Sequence, residues 1–349
     1  MPSTSKSLDA LKRLWPALKW SMFLLVLAFV AWHGWKLWKG FDQPAAPLKW
    51  GWLALAVVMS QLAWIPSLWY WRELMAALAA PAPWPQATRA YFCGTLGKYV
   101  PGKGVAVMIR SALLKDCGVP PATAALTVVV ETLTFVWVGT VLALVLYPTM
   151  APHLPRWLAG IIAADAVLRW SLIVVVVCGG RFAFVAMMRS HRPLTDWFRG
   201  SSEVPPDALG IPAGQLTPAF TGIGIVVFVA AWWIQGLTLG LTIHAVSGQP
   251  WNWGDWPYWT GSSAVAMVGG FLAFFAPGGL GVREGLLMEL LERQLGPREA
   301  VLVALLLRGG SLVGEILAAV ALYYGVKAMP KGKNGERGGG RRVDEQPGQ

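Results

Sequence analysis

One stretch decides the fold of this chain: FFAPGGLGVREG, residues 274–285. An apolar segment leads into it, a proline and three glycines interrupt that segment, and an Arg–Glu pair follows at once. Within a bilayer, backbone that is neither helix nor closed barrel is tolerated only where protein buries it or where it lines a wet cavity. A broken hydrophobic helix with charge at the break therefore indicates a transport site. The residues that form this break are Pro277, Gly278, Gly279 and Gly281.

The composition predicts a polytopic membrane protein. Of the 349 residues, 55% are hydrophobic and 13% are charged, and the mean hydropathy is +0.51. The apolar runs are too long and unbroken for barrel strands, which alternate every second residue, so the predicted fold class is all-α. The net charge of +11 suits an anionic membrane surface, whereas no soluble basic domain is apparent that would bind nucleic acid. The three cysteines lack CxxC spacing, so neither a disulfide framework nor a metal site is indicated, and no cofactor is predicted.

The apolar segments predict about six complete spans and two shorter broken pairs. The spans cover residues 17–38, 50–71, 122–147, 158–187, 219–246 and 300–326. The broken pairs cover residues 86–118 and 258–296, and we expect each to form a re-entrant hairpin rather than a full span. We assign residues 1–16 to a polar N-terminal segment, 17–326 to one transmembrane domain, and 327–349 to a basic tail expected to be disordered.

The two broken pairs belong to an internal repeat. Residues 99–104 read YVPGKG and residues 275–280 read FAPGGL, and each stretch precedes a short helix, a glycine and a long apolar span. Thirty positions separate Pro101 from Glu131, and 31 separate Pro277 from Arg308. These spacings predict duplicated units at about residues 50–147 and 219–326.

Loop charges predict the topology. The basic chain ends and the basic loop 189–199 should lie in the cytoplasm, while loops 148–156 and 247–257, which are poor in Lys and Arg, should lie outside. These assignments are consistent if the first hairpin enters from the cytoplasm and the second from outside, which makes the repeat inverted. The predicted location is the inner cell membrane, with many passes and both termini cytoplasmic.

Cations surround the first break. Pro101 and Gly102 form it, Lys103 follows, and Arg110 lies seven positions further on the same helix face. Together with Lys98, these cations could bind a phosphate head group. The alternative is an ordinary cytoplasmic loop, because the positive-inside bias alone explains much of the charge.

Arg283 and Glu284 follow the second break directly. Backbone N–H groups at a helix start attract anions, and an arginine adds a bidentate donor for a lipid head group. The alternative is an interfacial pair that caps a short helix. We favour the head-group site, because a broken helix in a membrane requires an explanation.

Three ionisable residues lie inside apolar spans: Glu131, Arg308 and Glu315. Such groups are costly in a membrane, so they face the protein interior, pair, or line a path. Glu131 and Arg308 are repeat equivalents of opposite charge, and we predict an ion pair between them across the pseudo-two-fold axis. A purely structural role for that pair is the alternative.

Other polar and small residues favour structural interpretations. Asp165 and Arg169 are four positions apart and should pair along their own helix, and His244 should be a hydrogen-bonded core residue. The motifs Gly236xxxGly240 and Gly310xxxGly314 predict close helix packing. No catalytic motif on a soluble scaffold is present, so no catalytic residue is assigned and we do not expect an enzyme.

The motifs that several of these residues form resemble those of a known family. The run PGGLGVREG at 277–285, the later Arg308, and the segment GKYVPGK at 97–103 with its Arg110 and Glu131 are similar to the flippase-like membrane region of lysylphosphatidylglycerol synthases. The similarity covers about residues 15–326, and the region also occurs as stand-alone membrane proteins. In the full synthases a soluble C-terminal domain transfers the aminoacyl group, and so little sequence follows the last span here that we expect that activity to be absent.

The resemblance implies lipid translocation. We predict movement of an anionic phospholipid or an isoprenoid or glycolipid-type lipid, with membrane lipids as partners. The alternative is a non-transporting accessory protein of lipid or envelope biosynthesis, and a membrane enzyme comes third. Whether the chain self-associates or binds envelope-biosynthesis partners stays open.

Overall fold

The computed structural model describes residues 47–100, 104–154, 170–180, 218–273 and 277–326. Across these residues the chain is helical and has no strand, which confirms the all-α prediction. The helices are α1 (Trp50–Leu62), α2 (Ile65–Ala77), α3 (Trp84–Thr95), α4 (Val105–Leu114), α5 (Pro121–Val145), α6 (Tyr147–Met150), α7 (Trp170–Gly180), α8 (Pro218–Ser247), α9 (Trp256–Leu272), α10 (Val282–Leu295) and α11 (Pro297–Gly325).

Four helical segments are long and apolar enough to cross a membrane. They are Trp50–Ala77, Pro121–Val145, Gly222–Ser247 and Pro297–Gly325, with 28, 25, 26 and 29 residues, whereas about 20 residues span the hydrocarbon core. Large apolar side chains on these segments stay exposed, including Val226 at 69% and Leu317 at 62%. Such surface suits contact with lipid tails. Of the two other predicted spans, residues 17–38 lie outside the described part of the chain, and only α7 is described within 158–187.

The first of these segments differs from the continuous span predicted over residues 50–71. Helix α1 ends at Leu62 and α2 begins at Ile65, so the segment has a break near its middle and extends to Ala77. Pro66, in the first turn of α2, has no N–H to donate to the preceding turn. A break in a long helix commonly has this cause.

Two helical hairpins lie between the long helices. The first hairpin consists of α3, the 3₁₀ turn Leu96–Tyr99 and α4; the second consists of α9, the 3₁₀ turn Pro277–Gly279 and α10. Their arms contain 12, 10, 17 and 14 residues, fewer than the about 20 residues of a typical transmembrane helix.

The two hairpins pack reciprocally. In each, the second arm lies against the long helix that follows it in sequence, α4 on α5 and α10 on α11. The first arm lies against the long helix of the other unit, α3 on α11 and α9 on α5. The 3₁₀ turns at the two tips contact each other. The fold thereby brings the described residues of the two hairpin tips to one place, which we call the tip junction.

Glycines allow two of the helix contacts, as the sequence predicted. A Cβ added at Gly236 would lie 2.7 Å from the Cα atom of Thr260 on α9, and Gly240 packs on the ring of Trp259. Gly310 and Gly314 likewise face Val57 and Gln61 of α1. Both glycine motifs are therefore confirmed as packing seams.

Candidate functional site

The second break is built from glycines in left-handed backbone conformations. The φ angles of Gly278, Gly279 and Gly281 are 61°, 70° and 83°, a region that residues with a Cβ rarely adopt. Gly279 also packs backbone to backbone on α9, because an added Cβ would lie 2.8 Å from the Cα atom of Gly270. The sequence PGGLG can therefore turn sharply here and start α10 at Val282.

Glu284 closes this turn from the third position of α10. One of its carboxylate oxygens, Oε2, accepts a hydrogen bond from the backbone N–H of Gly281 at 2.7 Å. The other, Oε1, lies 3.3 Å from Nε of Arg308, an ion pair without hydrogen-bond geometry. Arg308 also donates from Nη2 to the carbonyl oxygen of Gly278 at 3.1 Å. The loop, the short helix and the long helix α11 are thus held together by one partly buried cation and one buried anion.

The tip of the first hairpin adds a second ion pair at the junction. The ammonium of Lys98 lies 2.6 Å from Oε1 of Glu315 on α11, and the Tyr99 hydroxyl donates to Oε2 of the same carboxylate at 3.0 Å. The guanidinium of Arg308 lies 5.0 Å from the centre of the Tyr99 ring, within reach of a cation–π contact. Residues of both units therefore share the tip junction.

The charges at the tip junction do not balance. Three cations, Lys98, Arg283 and Arg308, stand beside two carboxylates, Glu284 and Glu315, so the described residues of the junction carry a net charge of +1. Glu315 is paired with Lys98 and Glu284 with Arg308. Within the described ranges, Arg283 is partly buried and forms neither an ion pair nor a hydrogen bond. The arrangement can accept one more anion.

The first hairpin holds a separate, neutral ion pair. Arg110 on α4 donates to Oε2 of Glu131 on α5 at 3.1 Å, and the Tyr91 hydroxyl donates to Oε1 at 3.0 Å. The side chains of Arg110 and Glu131 are only 7% and 5% exposed. The guanidinium lies 4.0 Å from the Tyr91 ring centre and 4.9 Å from that of Trp71. This closed geometry favours a structural role over head-group contact.

The predicted contact between Glu131 and Arg308 is wrong. Glu131 binds Arg110 and Arg308 binds Glu284, so each pair stays within its own unit. In the first unit the short helix carries the cation and the long helix the anion; in the second unit this polarity is reversed. Residues related by a pseudo-two-fold axis meet only if they lie close to that axis, so equivalent positions in a repeat need not pair.

The predicted grouping of Lys98 with Arg110 is also absent. They bind different carboxylates, Glu315 in the second unit and Glu131 in the first. The remaining members of that predicted site, Pro101, Gly102 and Lys103, lie outside the described residues, as do Asp165 and Arg169.

His244 is hydrogen-bonded, as expected, although it is not fully buried. Its Nδ1 lies 2.7 Å from the carbonyl oxygen of Gln249, and its Nε2 lies 3.4 Å from the Lys49 ammonium.

Sequence reasoning missed the Lys98–Glu315 pair and the tyrosine hydroxyls that donate to Glu131 and to Glu315. The available signal was the position of Lys98 and Tyr99 directly before the first break, where they must lie at the hairpin tip. No local pattern identifies Glu315, 217 positions away, as the partner of Lys98.

Span-length helices with exposed apolar faces, packed around buried ion pairs, define a multi-pass membrane protein. Residues 17–319 match the model of the lysylphosphatidylglycerol synthase TM region, and the chain belongs to that family, as its motifs predicted. The family places the protein in lipid-related processes of the membrane. A comparison with curated proteins finds no match to this chain. Within the described residues no group of three or more His, Cys, Asp or Glu side chains could hold a metal ion.

Proposed function

We propose that this protein translocates an anionic membrane lipid and that the tip junction binds the lipid's phosphate. The observation that carries this proposal is the net charge of +1 at the junction, where Arg283 has no acidic partner among the described residues. A cation without a counter-ion is expensive at membrane depth. A phosphodiester would balance the charge and could accept two parallel hydrogen bonds from the guanidinium.

The proposal includes the topology that the sequence predicts. This topology is an inverted repeat of two re-entrant hairpins with six full spans. Three features support it: the hairpin arms are short, their tips are in contact, and the hairpins pack reciprocally on α5 and α11. In this arrangement residues 17–326 form one transmembrane domain of an inner-membrane protein, and both termini are cytoplasmic. Each hairpin then reaches the middle of the membrane from opposite sides, where a head group must pass.

Binding rather than bond-making chemistry suits the polar groups at the junction. Its carboxylates are held by cations and by tyrosine hydroxyl or backbone N–H donors, an arrangement that fixes charge without presenting a nucleophile and a base. We therefore propose a transporter and not an enzyme, with membrane lipids as its partners.

Reconstitution tests this function. Purified protein in vesicles that contain a fluorescent phosphatidylglycerol should expose inner-leaflet lipid to an impermeant quencher, whereas empty vesicles should not. Equal quenching with and without protein would overturn translocation and would favour the alternative of an accessory protein of lipid biosynthesis.

The variant Arg283→Ala tests the site within the same assay. It should retain membrane insertion and lose about 10- to 100-fold in rate, since one charge-assisted hydrogen-bond partner contributes about 1.5–3 kcal/mol. Arg283→Lys should recover only part of the rate, because the bidentate geometry is lost. Arg293→Ala, an exposed arginine on the same helix, is the matched control and should scramble like the wild type. A normal rate for Arg283→Ala would place the phosphate elsewhere.

A further inference from the structure

Lys98 and Tyr99 hold the tip of the first hairpin on the second unit. The Lys98 ammonium forms an ion pair with Oε1 of Glu315 at 2.6 Å, and the Tyr99 hydroxyl donates to Oε2 of the same carboxylate at 3.0 Å. The two other buried ion pairs each lie within one unit. Movement of the tip away from α11 therefore breaks the contacts of Glu315, whereas the other two pairs can move with their own units.

The backbone of this tip lies directly against the second break. A Cβ added at Gly278 would lie 3.3 Å from the carbonyl oxygen of Lys98 and 3.6 Å from the Tyr99 ring. The same position lies 3.2 Å from Nη2 of Arg308. Because Gly278 has no side chain to interdigitate with the tip, a small displacement opens a gap between the two hairpins, and that gap lies beside the cations of the tip junction.

The Lys98–Glu315 pair can be broken without leaving an enclosed charge. Lys98 keeps 27% of its side chain exposed, and its flexible stem lets the ammonium turn while the backbone stays in place. Glu315 is 3% exposed while Lys98 and Tyr99 cover it, and a gap at the tip admits water to its carboxylate. Exchange of an ionic partner for water costs far less than isolation of a buried charge. Both the bridged and the separated state can therefore be populated.

A lipid phosphate on Arg283 would offer Lys98 a second anion. Lys98, Arg283 and Arg308 stand together at the junction, but Arg308 is already held by Glu284 and by the carbonyl oxygen of Gly278. Lys98 is thus a cation of the junction that can turn toward the phosphate. The phosphate oxygens that accept hydrogen bonds from a guanidinium can accept one from an ammonium as well.

We propose that the Lys98–Glu315 pair is a latch that couples head-group binding to release of the first hairpin's tip. Without an anionic lipid, Lys98 binds Glu315 and the tips stay in contact. A lipid phosphate on Arg283 draws the Lys98 ammonium away, water solvates the Glu315 carboxylate, and the tip separates from α11. No covalent bond is made or broken, and no proton moves. The inference rests on the proposed function, which places the phosphate at Arg283.

Distance measurements between spin labels test the latch. Labels at Val100→Cys and Leu272→Cys, exposed positions near opposite tips, report tip separation when Cys93, Cys117 and Cys178 are replaced. In nanodiscs of digalactosyl diacylglycerol, a lipid without phosphate, the short distance should dominate. Added phosphatidylglycerol should raise the ratio of separated to bridged molecules by about 10- to 100-fold, the range for one hydrogen bond to a charged group. Inorganic phosphate in the buffer should not, and release by it would overturn recognition of a lipid.

Three variants distinguish a latch from a passive contact. Lys98→Met combined with Glu315→Gln leaves no unpaired ion, and it should populate the separated state with or without phosphatidylglycerol. Arg283→Ala should stay bridged with both lipids, because the anionic surface is present but the phosphate is not held at the junction. Glu289→Gln, an exposed glutamate on α10, is the control and should respond like the wild type.

Several results would overturn the latch. They are a wild type that does not respond to phosphatidylglycerol, an Arg283→Ala protein that still responds, and a double variant that stays bridged. A double variant that does not fold would also overturn it, since the pair would then be a structural requirement. The scrambling assay separates these results from the proposed function. Scrambling by a wild type whose tips never respond to lipid would overturn the latch alone, whereas lipid-dependent separation without scrambling would support the latch and overturn translocation.

Discussion

Breaking the buried Arg110–Glu131 pair should destabilise the first hairpin strongly. Arg110→Met leaves the Glu131 carboxylate with the Tyr91 hydroxyl alone, and Glu131→Gln leaves a guanidinium enclosed by Trp71 and Tyr91. Because both side chains are more than nine-tenths buried, little water can replace the lost partner. Each single substitution should cost about 3–5 kcal/mol of unfolding free energy.

The double substitution should cost less than the sum of the two. With both charges gone, no uncompensated ion stays buried, and the Gln side chain can still accept a hydrogen bond from Tyr91. The coupling energy of the cycle should be about 1–3 kcal/mol. Tryptophan fluorescence during unfolding in mixed detergent micelles of rising dodecyl sulfate content measures all four proteins.

A second cycle is the matched control. Glu131→Gln and Arg308→Met remove the two charges that the repeat spacing relates but that bind different partners in the structure. Their costs should add to within about 0.5 kcal/mol. Additive costs for Arg110 with Glu131, or strong coupling between Glu131 and Arg308, would refute the assignment of each ion pair to its own unit.

Two further predictions concern the second break and the topology. Gly279→Ala should lower the free energy of unfolding by about 1–3 kcal/mol in the same assay, because the residue has a positive φ and its new Cβ would meet Gly270. Gly285→Ala, at a position with open space around it, should not lower the stability and is the control. Equal stability losses in the two variants would mean that the break tolerates a side chain at Gly279. In a background without native cysteines, Trp253→Cys and His153→Cys should react with an impermeant maleimide from outside intact cells; labelling only after lysis would invert the proposed orientation.

Local residue patterns predicted much of the architecture. Apolar run length identified the four described spans, and the Pro-Gly clusters identified the second break. The Gly-xxx-Gly motifs identified the seams of α8 on α9 and of α11 on α1. These features depend on residues within a few positions of one another, since backbone hydrogen bonding and helix periodicity are local. Pro66 is also a local signal for the interruption between Leu62 and Ile65. The surrounding apolar run nevertheless led to the prediction of one continuous span.

The sequence by itself determined that this protein is a helical membrane protein with two broken helix pairs, and its motifs determined the family. It also determined which residues carry charge in apolar surroundings. Only the tertiary structure decided how those charges pair, because Lys98 and Glu315 are 217 positions apart and Arg110 and Glu131 are 21 apart. In a membrane, an ionised side chain pairs with the opposite charge that lies within a few ångströms of it once the helices have packed. Reciprocal docking of the hairpins set those distances, and so left Arg283 as the cation without an acidic partner among the described residues.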